Sequence, residues 1–200
     1  MKMRELSPKS YAVAASLAVL IALTAAILLV IAPIGAARTN VYSDYKMIGP
    51  GGQPFQFSSL AGSWSIVSFG FTHCPDFCPT ALSDIADVLN EFETNTARPA
   101  AVFVTIDPER DGTELLDNYV RFFHPEMMGI TGPLPATNSV ARDFGVFFEK
   151  VTDPSDPETY TMAHSTQIFV VSPDGFVTKK FQYGTAPRDI ASYLEKMGTN

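Results

Sequence analysis

The chain's only two cysteines, Cys74 and Cys78, lie in the stretch "FTHCPDFCPT" (71–80), directly between two segments of opposite periodicity. Ahead of them, "SWSIVSFGF" (63–71) is a run of apolar and small residues that reads as a buried strand. Behind them, Leu82, Ile85, Ala86, Leu89 and Phe92 recur at helical spacing, with Pro79 in the first turn, where proline is tolerated. The pair is spaced CxxxC, at the junction of a buried strand and a helix.

The rest of the chain continues the same alternation. "PAAVFVTID" (99–107) reads as a second buried strand and "TELLDNYVRFF" (113–123) as a second amphipathic helix. "MMGIT" fits a short edge strand, and "ATNSVARDFG" a short helix stopped by Gly145. "VFFEKV" is extended and the polar stretch 152–159 is expected as a loop. "STQIFVVS" reads as a third buried strand, turned back by "PDG" into "FVTKKF", with "RDIASYLEKM" as a closing helix. This order predicts an α/β domain with a mixed central sheet flanked by helices. "GPGG" at 49–52 precedes the first strand and is expected to be a turn; no phosphate-binding glycine loop and no GxSxG is present.

From Ser10 to Ala37 no side chain is charged. A helix of about 20 apolar residues spans a bilayer, so this run is long enough to cross once. The alternative is a cleavable signal peptide, whose apolar region usually covers only about 7–15 residues. The expected organisation is therefore a cytoplasmic N-terminus (1–10), a transmembrane anchor (11–34), a linker (35–54) and a domain over 55–200. Lys2, Arg4 and Lys9 precede the span against one acid, Glu5, which places the domain outside the cytoplasm. The net +2 of residues 1–37 leaves −9 for the remainder of a chain whose total is −7. That balance argues against nucleic acid and against tight docking on anionic lipid.

Outside the cytoplasm paired cysteines usually become structural disulfides. A bridge between Cys74 and Cys78 would close almost no loop and would remove little unfolded-state entropy. The helix N-terminus is expected to lower the thiol pKa toward thiolate, the form that attacks disulfides and binds metals. Residues i and i+4 share a helical face, so both sulfurs can address one centre, and two soft thiolates suit Cu(I) or Zn(II).

A third ligand is sought among three histidines. His73 adjoins Cys74, and neighbouring side chains point apart. His124 follows the second helix, where contact with the last carbonyls is expected. His164 precedes the third strand, whose start would lie beside the first strand's end if the two run antiparallel, which makes it the candidate. Met162 is expected to pack rather than ligate. Asp107 and Asp111 of "IDPERD" (106–111) are explained equally well by turn formation and capping.

"FGFTHCPDFCP", "VTIDPERDG", "ITG", "FGVFFEKV" and "AHSTQIFVVSPDG" together resemble the Sco/SenC family of membrane-anchored, thioredoxin-like copper proteins, in the same order and from about Gly49 to Met197. The resemblance implies a thioredoxin-like fold behind one N-terminal transmembrane helix, and copper, as Cu(I) or Cu(II), held by Cys74, Cys78 and His164. It implies delivery of copper to the dinuclear site of cytochrome c oxidase subunit II, or preparation of that site's thiols, at the periplasmic side of the cytoplasmic membrane. Other periplasmic copper chaperones and thioredoxin-like reductases are further expected partners. The chain departs from the family at Ala163, where an acidic residue commonly precedes the histidine. Gly112 and Thr113 stand where relatives often have Thr-Pro, and the segment between "QPFQF" and "SSLAGSW" is short.

Two other readings stand beside the chaperone. A thiol-disulfide oxidoreductase would use the same pair on a partner's disulfide. No proline occurs between Pro157 and Pro173 to shape a peptide groove, however, and His164 takes that neighbourhood. The third reading is a copper or redox sensor.

Overall fold

The computed structural model describes residues 17–24, 39–42, 44–92, 98–153 and 155–198. It divides into two units, Met1–Arg38 and Thr39–Asn200. In the first, residues 17–24 are helical, with Leu17, Val19, Leu20, Ile21 and Leu23 exposed. The remainder of the expected anchor (11–34) and the expected cytoplasmic segment (1–10) lie outside the described residues. No helix among the described residues is long and apolar enough to cross a membrane.

The second unit is built on a five-stranded sheet. Its strands are β3 (Ser65–Gly70), β4 (Ala100–Thr105), β5 (Met128–Ile130), β8 (Ile168–Val171) and β9 (Val177–Phe181), in the order β5-β4-β3-β8-β9. Strand β3 pairs in parallel with β4 and antiparallel with β8, so the sheet is mixed as the element order predicts. All six residues of β3 are buried. A central strand covered on both faces has no polar side to show, which is why it reads as an unbroken apolar and small run.

Helices cover both faces. On one face lies α1 (Phe77–Glu91), which buries Leu82, Ile85, Ala86 and Leu89 at the predicted spacing and packs beside α2 (Thr113–Phe123) and α4 (Pro187–Gly198). On the other face, α3 (Leu134–Phe144) sends Phe144 against Phe69 and Phe169, with ring centroids 5.2 and 5.3 Å away. Gly145 ends α3 in the left-handed conformation at φ 71°, as expected of a glycine that stops a helix.

Two stretches differ from the sequence reading. The compact unit starts at Thr39, ahead of the expected linker boundary at 54/55. Val41 and Met47 are buried, and a short hairpin of β1 (Met47–Ile48) and β2 (Pro54–Phe55) turns through residues 50–52. Glycine and proline there mark a turn inside the domain rather than a tether leading to it. The expected loop at 152–159 is largely strand: β6 (Phe148–Asp153) and β7 (Asp156–His164) form a separate two-stranded sheet. Polar residues dominate it because the ribbon stands outside the main sheet, so no face shows the apolar alternation by which strands are recognised.

The register places the functional edge. Gly70 at the end of β3 lies opposite Thr105 at the end of β4, and Ser68 pairs with Ile168 at the start of β8. The segments that follow β3 and β4 and the one that precedes β8 therefore meet at a single sheet edge. Loops at strand ends are where open α/β sheets build their sites.

Candidate metal centre

Cys74 sits in the turn after β3, its N–H donating to the Phe71 carbonyl at 3.2 Å, and Cys78 is the second residue of α1. Both are buried, 8% and 3% exposed, and neither is bridged. Cys74 Sγ accepts the backbone N–H of Cys78 at 3.4 Å, so the first sulfur partly caps the helix that carries the second. Cys78 Sγ reaches this position because β3 ends in a glycine. A β-carbon on Gly70 would lie 2.5 Å from that sulfur and 2.9 Å from the Phe103 ring.

His164 completes the group. Its Nε2 lies 3.8 Å from Cys78 Sγ, and the ligand atoms of Cys74, Cys78 and His164 all fall within 4.8 Å of one another. The other ring nitrogen, Nδ1, is 2.7 Å from the Ser165 carbonyl. A carbonyl only accepts, so Nδ1 carries the proton and the Nε2 lone pair is left facing the sulfur. This second contact fixes tautomer and ring orientation, as is usual for a metal-binding histidine. A backbone carbonyl orients the imidazole while Ala163 next door is exposed.

Burial tunes both kinds of ligand. It lowers the pKa of His164 below 6.5, only partly opposed by the Ser165 hydrogen bond, so the imidazole is neutral and ready to ligate at pH 7. It raises the Cys78 thiol far above its ordinary value; a backbone hydrogen bond at Phe71 works against that, and Cys74 adds to it. This corrects the expectation of a thiol activated by the helix N-terminus at Cys78, where desolvation outweighs the dipole and favours the neutral thiol. Beside Cys78 is a cavity of about 10 Å³ lined by Ser68, Phe77, Phe103, His164 and Gln167. That is room for something of water or ion size, not for an organic substrate.

The remaining candidates fall elsewhere. His73 is 52% exposed, its Nδ1 3.0 Å from Thr72 Oγ1 and 3.9 Å from Asp111 Oδ1, and it is no member of the ligand group. His124 is the C-cap residue of α2, where its backbone N–H donates to the Val120 carbonyl, and its ring meets Arg98 Nη2 at 3.0 Å and the Glu126 N–H at 3.2 Å. Met162 packs against the core.

Asp111 does more than form a turn or a cap. Fully buried, it accepts from the Thr72 N–H (3.0 Å), the Thr72 hydroxyl (2.6 Å) and the Thr105 hydroxyl (2.6 Å). It thereby ties the turn that carries Cys74 to the end of β4. Asp107, also buried, accepts from the Tyr160 hydroxyl at 3.0 Å and pairs with Arg110. The signal for both is the compact acidic motif directly after a buried strand, but Thr72 and Tyr160, which they meet, are distant in sequence.

The comparisons with known proteins agree with this architecture. The family model described as SCO1/SenC matches residues 35–199. An SCO2-like protein of Rickettsia felis is 31% identical over 167 residues, covering 80% of this chain and 82% of the relative. The crystal structure of Arabidopsis thaliana ScoI with copper bound superposes at a TM-score of 0.72 with 28% identity, covering 80% of this chain and 99% of that one. Bradyrhizobium japonicum ScoI, also with copper bound, gives 0.69 with 30% identity over 76% and 96% of the two chains. A thioredoxin-like α/β body, two buried thiols facing a half-buried histidine at its functional edge, and a family match over most of its length make this chain a member of the SCO1/SenC family.

Proposed function

We infer that this protein is a copper chaperone that holds copper through Cys74, Cys78 and His164 and passes it to the dinuclear copper site of cytochrome c oxidase subunit II. The observation that carries the reading is the convergence of two buried thiols and one neutral imidazole within 4.8 Å. That donor set is soft and three-coordinate, which suits Cu(I); Cu(II) would take a further weak ligand. The copper-bound relatives support copper over zinc. The uncharged run with its basic flank supports anchoring in the cytoplasmic membrane with the domain in the periplasm. Other periplasmic copper chaperones and thioredoxin-like reductases fit as donors of copper and of electrons.

The thiol energetics suit a carrier. Bound copper holds Cys78 as thiolate, while the empty buried site prefers the neutral thiol. Transfer to a partner's thiolates is therefore accompanied by proton uptake at Cys78, which favours release once a competing ligand arrives. Oxidation to a Cys74–Cys78 disulfide removes both thiolates, so copper load and redox state are linked. The same raised pKa reduces the fraction of Cys78 thiolate available to attack a disulfide.

The test is anaerobic titration of the reduced full-length chain with Cu(II), followed by sulfur-to-copper charge-transfer absorption. One equivalent of coloured complex, weakened or spectrally altered in His164→Ala, is expected. Immediate thiol oxidation with no copper retained, alike in both proteins, would overturn the chaperone reading in favour of thiol-disulfide exchange.

A further inference from the structure

The imidazole and the two thiols stand on different pieces of the fold. Cys74 and Cys78 belong to the β3–α1 body, whereas His164 is the last residue of β7, in a two-stranded sheet outside the central one. A lone pair of strands is marginally stable in water, so the position of His164 depends on what fastens that ribbon to the body.

Phe148 and Met162 pack against the core, and the polar ties to the loop after β4 centre on Tyr160. Along β7, Tyr160, Met162 and His164 are spaced by two and share one face. The Tyr160 hydroxyl donates to Asp107 Oδ1 at 3.0 Å, while Arg110 Nη1 donates to the Tyr160 carbonyl at 3.1 Å. The Arg110 guanidinium lies 3.7 Å from the centroid of the same ring and pairs through Nε with the buried Asp107. Lys150 of β6 also sits 4.0 Å from the ring centroid and bonds Glu109 at 2.6 Å. Side chain, ring and backbone of one tyrosine are thus tied to a single loop of the body, residues 107–110. That loop is contiguous with Asp111, which holds the Cys74 turn.

We propose that Tyr160, clamped by Asp107 and Arg110, is a positioning residue for copper binding: it sets where His164 stands relative to Cys74 and Cys78. It touches neither the ligand atoms nor the metal. Its effect is exerted entirely through the four-residue stretch of β7 that ends at His164. This rests on the copper reading above and extends it from the ligands to the loop that brings them together.

The experiment is a double-mutant cycle on the reduced full-length chain, with Cu(I) affinity measured by competition against bicinchoninate. Tyr160→Phe removes only the hydroxyl bond to Asp107; Arg110→Gln removes the guanidinium and provides a second, independent lesion. Each is made in the wild type and in His164→Ala. Loss of one charge-assisted hydrogen bond is expected to weaken copper binding about tenfold in the wild type. In the His164→Ala background the same substitutions are expected to change nothing further.

An equal loss in both backgrounds would show that Tyr160 acts on folding at large, and overturns the proposal. So does an unchanged affinity for Tyr160→Phe in the wild type. If the wild type and His164→Ala bind Cu(I) equally well, the copper reading of His164 falls first and takes the proposal with it, a result separable from the other two.

Discussion

Cys78 Sγ and His164 Nε2 lie 3.8 Å apart although 86 residues separate them in the chain. The first is placed by a helix start and the second by the end of an outlying hairpin. The contact exists because β8 runs antiparallel to β3 and begins beside its end. Most of what can be tested about the site concerns how this meeting point is held.

Gly70 leaves the space that Cys78 Sγ occupies. In Gly70→Ala the new methyl would stand 2.5 Å from the sulfur and 2.9 Å from Phe103, so the thiol must move. Overpacking of this kind costs about 1–3 kcal/mol. Thermal and chemical denaturation of the apo protein should register that loss, and chelator competition should show weaker copper binding.

Asp111 should be more sensitive than an ordinary turn aspartate. In Asp111→Asn the amide nitrogen replaces one acceptor facing Thr72 and Thr105, which both offer donors. A buried hydrogen-bonded charge lost in this way destabilises by about 2 kcal/mol. Urea denaturation measures it, and amide hydrogen exchange should quicken first in the 71–75 turn.

Alkaline pH should weaken the apo protein through Cys78. Its folded pKa is raised above the ordinary 9.0, so its contribution to stability is complete below that value and is lost as pH rises above it. Denaturation midpoints of the apo wild type should fall from pH 9 upward, and Cys78→Ser should flatten that slope. An unchanged slope in the variant would assign the loss to other groups.

Acid should act through His164 with the opposite sign. Its folded pKa is depressed, so its contribution is present above the ordinary 6.5 and disappears as pH falls below that value through the folded pKa. Apo stability should decline over that acid range by an increment that His164→Ala removes. NMR titration of the ring protons gives the folded pKa directly and should place it below 6.5.

The candidate site was legible in the sequence to unequal depths. The cysteine pair, its place between a buried strand and a helix, and the family resemblance all follow from residues close in the chain. His164 could be proposed from strand order alone, because an antiparallel third strand must start where the first one ends. The hairpin that carries it reads from sequence as a loop at 152–159, since a ribbon outside the main sheet lacks the apolar alternation that marks strands. Asp111 and Tyr160 escaped for a related reason: their partners, Thr72 in one case and Asp107 with Arg110 in the other, lie 39 to 53 residues away.

What the sequence by itself determined is therefore local and periodic: the strands and helices of the central body, and the soft donor set. Cys74 lies in the turn ahead of α1, so the turn and not a shared helical face brings the two sulfurs together. The tertiary structure decided which histidine meets those sulfurs, which carboxylates hold the loops, and the direction in which the Cys78 pKa moves. Helical and strand patterns are written in neighbouring residues, whereas a hydrogen bond across the sheet edge depends on register. The pKa of a thiol depends on desolvation by groups from distant segments, and here that burial outweighs the helix N-terminus that a local reading would favour.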